Sequence, residues 1–272
     1  MSLVLLIPDI AAQSGARPAA VAEAVVDGFI VYSLRDRDPL LPAVLSREVP
    51  TVVIDAPRVV VGADWVGSDD RAAMRGLGDY LRDLGHRAVG IIGPQLDEMR
   101  HNGPAGRPRW RYSGYALMRE RIEGLLEGLG AQATDAGAAV QAGVEVPIEE
   151  RFEHTPSSGA DALHALLDRS PNLAAVCCLT DVLALGAMDG ARQRGLTVPG
   201  DLTITGYDDV PSAALAGLGM IAARARRGEG VSRRPPGAVR RAPGDSTSAA
   251  ACAASSRASH RAADFRRRCQ PQ

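Results

Sequence analysis

The 272-residue chain contains no lysine, so all 31 of its basic residues are arginine. Aromatic residues make up only 4% of it, which leaves few flat faces to stack on nucleic-acid bases. Long apolar runs are also missing. The first such run, residues 3–7, is too short for the core of a signal peptide and far too short to cross a bilayer. These absences exclude a membrane span and lead us to expect a cytoplasmic location. The four cysteines give no disulfide framework. Cys177 and Cys178 are adjacent within a predicted core strand, where they read as small buried hydrophobes, while Cys252 and Cys269 lie far from histidines at ligand spacing. The chain has no Gly-x-Gly-x-x-Gly, no P-loop, no Gly-x-Ser-x-Gly and no metal-ligand cluster. We therefore expect no cofactor, no metal and no catalytic activity.

What is present is an asymmetry of charge. The formal net charge is −1, yet residues 219–272 hold 12 Arg against three acids, and the other 218 residues hold 19 Arg against 29 acids. The C-terminal stretch has no Leu, Tyr or Trp and only two Val, one Ile and one Phe. It lacks the apolar surface to offset the entropy of ordering. Two readings compete: a basic arm for nucleic acid or an acidic partner, and a frame-shifted translation of GC-rich DNA. The second fits better, because the change is abrupt and only one aromatic stands among the 12 arginines. Residues 218–272 are therefore expected to be a tail without packed structure.

The body reads as alternating strands and helices. Strands are expected at 26–31, 51–54, 65–67, 89–92, 174–179 and 202–205. Helices are expected at 18–26, 39–47, 68–84, 111–129, 158–169 and 182–195. Residues 94–108 read as a polar loop and 130–150 as a weakly defined connection. Such βαβ alternation implies parallel sheets covered by helices. Residues 173–209 form the clearest unit: an unalternated apolar strand, a polar turn at Thr180-Asp181, an Ala-rich helix, Gly195 as its C-cap, a second strand and another polar turn. Both turns carry carboxylates at the C-terminal ends of strands, the edge where open α/β sheets bind ligands.

Three motifs in this unit stand in order: Thr180-Asp-x-x-Ala-x-Gly-Ala, Gly195-x-x-Val-Pro-x-Asp-Leu and Gly206-Tyr-Asp-Asp. Together they resemble the effector-binding core of the LacI/GalR transcriptional regulators, which is related to periplasmic sugar-binding proteins. The order "VDGFIV", "VPTVVID" and Leu84-Gly-His-Arg is similar to the same family, so the resemblance covers roughly residues 3–217. It implies a two-lobed periplasmic-binding-protein-like α/β fold with parallel doubly wound sheets, divided as 1–67 (a partial N-terminal lobe) and 68–217 (the C-terminal lobe). It also implies a sugar or nucleoside-like effector that closes the lobes, a homodimer in intact relatives, and DNA contact only through a helix-turn-helix that this chain does not contain. A truncated, non-DNA-binding core is the expectation; a solute-binding protein for uptake, or a non-functional fragment, is the alternative.

The resemblance also nominates ligand contacts. Arg111 matches the Arg of an Arg-x-x-Gly motif, and its planar fork suits vicinal hydroxyls or a carboxylate. Asp208 ends a strand on the binding edge as an acceptor, with Asp209 the better turn residue. Of Thr180 and Asp181, one is expected to face ligand while the other caps the helix. Asp55, with Tyr32 and Ser33, ends strands of the first lobe. Arg109 reads as a solvated loop residue, His86 as structural, and Trp110 as either a sugar platform or a packing anchor.

Overall fold

The computed structural model describes residues 16–58, 60–134, 137–140, 144–211, 219–221 and 225–227. These form two compact units, divided after Ser68, with residues 225–227 belonging to the first. The apolar run at residues 3–7, which reads from the sequence as a further buried strand, lies outside the described residues, as does the tail from residue 228 onward.

The first unit contains α1 (Ala16–Glu23), β1 (Phe29–Tyr32), α2 (Leu40–Leu45), β2 (Thr51–Ile54) and β3 (Asp64–Ser68). The three strands pair in parallel in that order. Val21, Val31, Leu34, Val44, Val53 and Ala63 make its core. A final strand, β13 (Ala225–Arg227), adds antiparallel to β3.

The second unit runs α3 (Asp70–Asp83), β4 (Val89–Pro94), β5 (Gly103–Pro104), α4 (Arg107–Arg111), α5 (Ala116–Leu129), a three-stranded antiparallel sheet β6–β8 (Gln132–Thr134, Gly137–Val140, Val144–Val146), β9 (Ile148–Arg151), α6 (Pro156–Arg169), β10 (Ala175–Cys178), α7 (Asp181–Gln193), β11 (Thr203–Tyr207) and β12 (Gly219–Ile221). Its main sheet has the order β12-β11-β10-β4-β9-β5, parallel except for β5. This is the doubly wound parallel arrangement implied by the motifs.

Both faces of the sheet are covered, so its central strands are apolar on both sides. Met74, Leu77 and Leu81 of α3, with Ile122, Leu125 and Leu129 of α5, cover one face against Val89, Ile91 and Cys177. Leu163 and Leu166 of α6, with Leu183 and Ala187 of α7, cover the other against Ile92, Val176 and Cys178. The adjacent cysteines thus point to opposite cores as free, buried thiols, and burial pushes Cys177 up to about 12.

Two stretches differ from the sequence expectation. The polar loop at 94–108 holds a short strand and the start of a helix, because backbone groups of β9 are there to be paired. Residues 219–221 and 225–227, assigned by composition to an unpacked tail, are strands. A three-residue edge strand is held mainly by backbone hydrogen bonds from its neighbour, to which side-chain composition is blind.

Helix pairs approach closely at glycine. A Cβ on Gly128 of α5 would lie 2.1 Å from the Arg75 carbonyl oxygen of α3, and one on Gly124 would lie 2.2 Å from that of Arg71. Replacing an interior helix glycine by alanine ordinarily stabilises by about 1 kcal/mol. Here the sign reverses: Gly128→Ala is expected to lower stability in chemical denaturation by about 1–3 kcal/mol, the range for overpacking. A gain in stability would show that the two helices are not in contact there.

Candidate functional site

In the second unit the chain leaves β4 toward β9 and leaves β10 toward β11, so two neighbouring strands send their connections in opposite directions. Such a switch point opens a crevice at the strands' C-terminal ends. The turns that meet there follow β9 (His154), β10 (Thr180, Asp181) and β11 (Asp208, Asp209).

The residue that ties these turns together is Arg121. It sits on the buried stripe of α5, one turn from Leu117 and one from Leu125, and is only 8% exposed. Its Nε donates to Asp70 Oδ1 (2.8 Å) at the start of α3, and its Nη1 donates to the Leu179 carbonyl oxygen (2.6 Å) at the end of β10. Nη1 also lies 3.5 Å from Asp208 Oδ1, and the guanidinium stacks 3.7 Å from the centre of the Tyr207 ring. Asp70 is fully buried. Sequence reasoning passed over Arg121; the available signal was an arginine at the i+4 position of an otherwise apolar stripe.

Neither Thr180 nor Asp181 caps α7 with its side chain. Thr180 is the N-cap residue, but its hydroxyl hydrogen-bonds with His154 Nε2 at 2.8 Å. Asp181 turns inward, is fully buried, and accepts the Val210 N–H through Oδ2 (2.8 Å). Its Oδ1 has no hydrogen-bond partner and packs against Gly206, where a Cβ would lie 2.3 Å away. Asp208 follows β11 at the same edge, with its backbone at φ 108°. Burial raises the Asp208 pKa, opposed by Arg121. His154, a further member that sequence reasoning missed, is held below the ordinary histidine range by loss of solvent around its ring.

The remaining candidates lie elsewhere. Arg111 ends α4, is exposed, and pairs with Glu123 of α5 (3.2 Å); among the described residues no hydrogen bond or ion pair joins it to the Arg121 cluster. Asp55 ends β2 of the first unit at φ 69°, where its carbonyl accepts from Trp65 Nε1 (2.9 Å). Arg109 is half-buried rather than a free solvated side chain: both Nη2 (2.9 Å) and Nε donate to the fully buried Glu150. A solvent-facing reading failed because nothing in the local sequence marks a buried carboxylate 41 residues away. Trp110 is a packing anchor, 1% exposed. His86 is half-buried, lies 3.4 Å from Thr203 Oγ1 as a structural contact, and has its pKa lowered by burial.

Among the described residues, no His/Cys/Asp/Glu group suits a metal ion, and no helix is long and apolar enough to cross a membrane. The arrangement is a polar edge with hydroxyl, imidazole and carboxylate groups around one guanidinium. It suits a ligand that both donates and accepts hydrogen bonds.

Residues 79–227 match the family model described as a periplasmic binding protein-like domain. The chain belongs to the LacI family. An HTH-type transcriptional regulator of Mycobacterium tuberculosis is 42% identical over 204 residues, covering 75% of this chain and 55% of that protein. A LacI-family transcriptional regulator from Corynebacterium glutamicum, seen by crystallography, superposes with a TM-score of 0.67 at 29% identity, covering 75% of this chain and 59% of that one. The regulator CelR in complex with cellobiose is similar at a TM-score of 0.56 and 27% identity, covering 74% and 56% of the two chains. This chain thus spans about 55% of the length of the mycobacterial relative. The family match runs to residue 227, ten residues beyond the stretch over which the motifs alone carry the resemblance.

Asp181 gives this LacI-family core a pH signature. Burial, with the charges of Asp208 and Asp209, pushes its pKa up to about 6 from 3.8. Between those values the folded protein holds a proton that the unfolded chain releases, so the residue's contribution to stability falls as pH rises through that window. Asp181→Asn is expected to gain in melting temperature relative to wild type as pH is raised from about 4 to about 6. A constant difference across that range would remove the assignment.

Proposed function

We propose that this chain is the small-molecule effector core of a LacI-type regulator, and that its effector is an uncharged sugar or nucleoside-like compound. The observation that carries this reading is the Thr180–His154 pair beside the Asp208 carboxylate, all at the switch-point edge and organised by Arg121. Ionised Asp208 accepts from ligand hydroxyls, Thr180 and His154 both donate and accept, and Asp181 holds the turn after β11 in place. Arg111 is the fork-shaped donor at the end of α4; it would exchange its exposed pairing with Glu123 for the ligand. Asp55 is the first unit's candidate contact. The cellobiose bound to the similar regulator CelR supports a sugar as effector. The whole regulator would act in the cytoplasm on DNA through a helix-turn-helix domain, as the designation of the mycobacterial relative suggests.

Self-association of the regulator is assigned to the outer face of α7. There Pro156, Leu185, Met188, Leu196 and Val198 line a groove of about 430 Å³. Asp189 and Arg192, oppositely charged and one turn apart, border it. A two-fold axis across this face would set each charge against its opposite in a second copy. Leu185→Glu is accordingly expected to shift sedimentation of the full chain toward monomer; an unchanged distribution would exclude this face.

Calorimetry of the full chain against a panel of sugars and nucleosides tests the ligand reading. The expected result is a hit among uncharged polyols, weakened about tenfold or more by Asp208→Asn or Arg111→Ala, the cost of one charge-assisted hydrogen bond. A hit whose affinity both variants leave unchanged would overturn the site.

A further inference from the structure

The long connection between β4 and α5 is fastened to β9 by the backbone pairing of β5 and by one buried carboxylate. Glu150 is fully buried and uses both oxygens: Oε1 accepts the Leu96 N–H (2.9 Å) and Arg109 Nη2 (2.9 Å), while Oε2 accepts Arg109 Nε. The same guanidinium donates to the Met99 carbonyl oxygen at 3.2 Å. Thus one fork joins β9, the beginning of the connection and its α4 end. Between these points the connection grips the turn after β9. Asn102 Oδ1 accepts the Phe152 N–H (2.8 Å), and Arg100 both stacks 5.3 Å from the Phe152 ring centre and ion-pairs with Glu153. The next residue is His154, whose ring holds the Thr180 hydroxyl.

We propose that Glu150 and Arg109 are positioning residues for the ligand edge. By clamping residues 95–111 to β9 they fix the turn at 152–154, and through His154 they set the direction of the Thr180 hydroxyl. This rests on the reading of that edge as the effector site. A buried carboxylate needs a cationic partner merely to be tolerated, and that requirement alone would be met by any cation. The contacts ask for more: a planar fork that reaches two carboxylate oxygens and a carbonyl together, which lysine cannot do. Exposed Asn102 contributes nothing to neutralising Glu150, yet it lies on the proposed path to His154.

The experiment follows the His154 ring in the ¹⁵N-histidine-labelled full chain, with His154→Gln to assign the signal. Arg109→Lys and Asn102→Ala are compared with wild type, and a cooperative melt is required of each. Both variants are expected to move the His154 ring shifts and to bring its titration midpoint toward that of a free histidine. Both are also expected to weaken binding of the panel sugar that wild type binds best, cellobiose being the first probe, by about tenfold. If melting temperatures fall while the His154 signals stay at wild-type values, the pair serves stability alone and the proposal is overturned. If wild type binds no sugar or nucleoside, the effector reading fails instead, and the ring shifts still decide whether the clamp acts on His154.

Discussion

The second unit depends on one buried ion pair. Arg121 and Asp70 come from α5 and α3, which pack on the same face of the sheet, and they meet where the sheet's central strand β10 ends. Two charges taken from water gain only if their geometry and further hydrogen bonds are good, and removing one partner of such a pair typically costs about 3–5 kcal/mol. Arg121 meets those terms by also donating to the Leu179 carbonyl oxygen and stacking on Tyr207. The same contacts connect the helix layer to the turn after β10 and to the turn after β11. A stabilising element and a site-building element are therefore one side chain.

Around that guanidinium the edge carries more acid than base. Asp70 is committed to Arg121, Asp181 is buried with a raised pKa, and Asp208 approaches the cation only at 3.5 Å. An anionic ligand would meet repulsion here, whereas a polyol would find acceptors beside two groups able to donate. Helix α7 adds to this. Its N-cap hydroxyl makes no capping hydrogen bond and is directed by His154 instead. The turns are thus held by contacts with one another, which pre-organises the edge for a ligand.

Most of the element order was legible because βαβ units write themselves in apolar runs and helical stripes. Residues 51–54 and the unit at 173–209 are examples, and their Thr-Asp and Gly-Tyr-Asp-Asp turns named the edge. What escaped was chemistry made by long-range pairing. Glu149 and Glu150 are two adjacent acids, both fully buried, and Arg169 of α6 and Arg109 of α4 reach them from other elements. His154 is a lone loop histidine until Thr180 is folded beside it. Arg109 and Arg111, two residues apart, look alike in sequence, yet one is bound to a fully buried carboxylate and the other, itself exposed, to the half-buried Glu123. Strands at 219–221 and 225–227 were hidden for a different reason, since backbone pairing leaves little mark on composition.

The most direct test of the account is a backbone amide map of ligand binding in the full chain, using two-dimensional NMR while the sugar and nucleoside panel is titrated. Shifts concentrated at residues 179–183, 207–210 and the Arg121 side-chain N–H are the result this structure predicts. Shifts confined to the outer face of α7, or an unperturbed spectrum of a folded chain with every panel member, would contradict it.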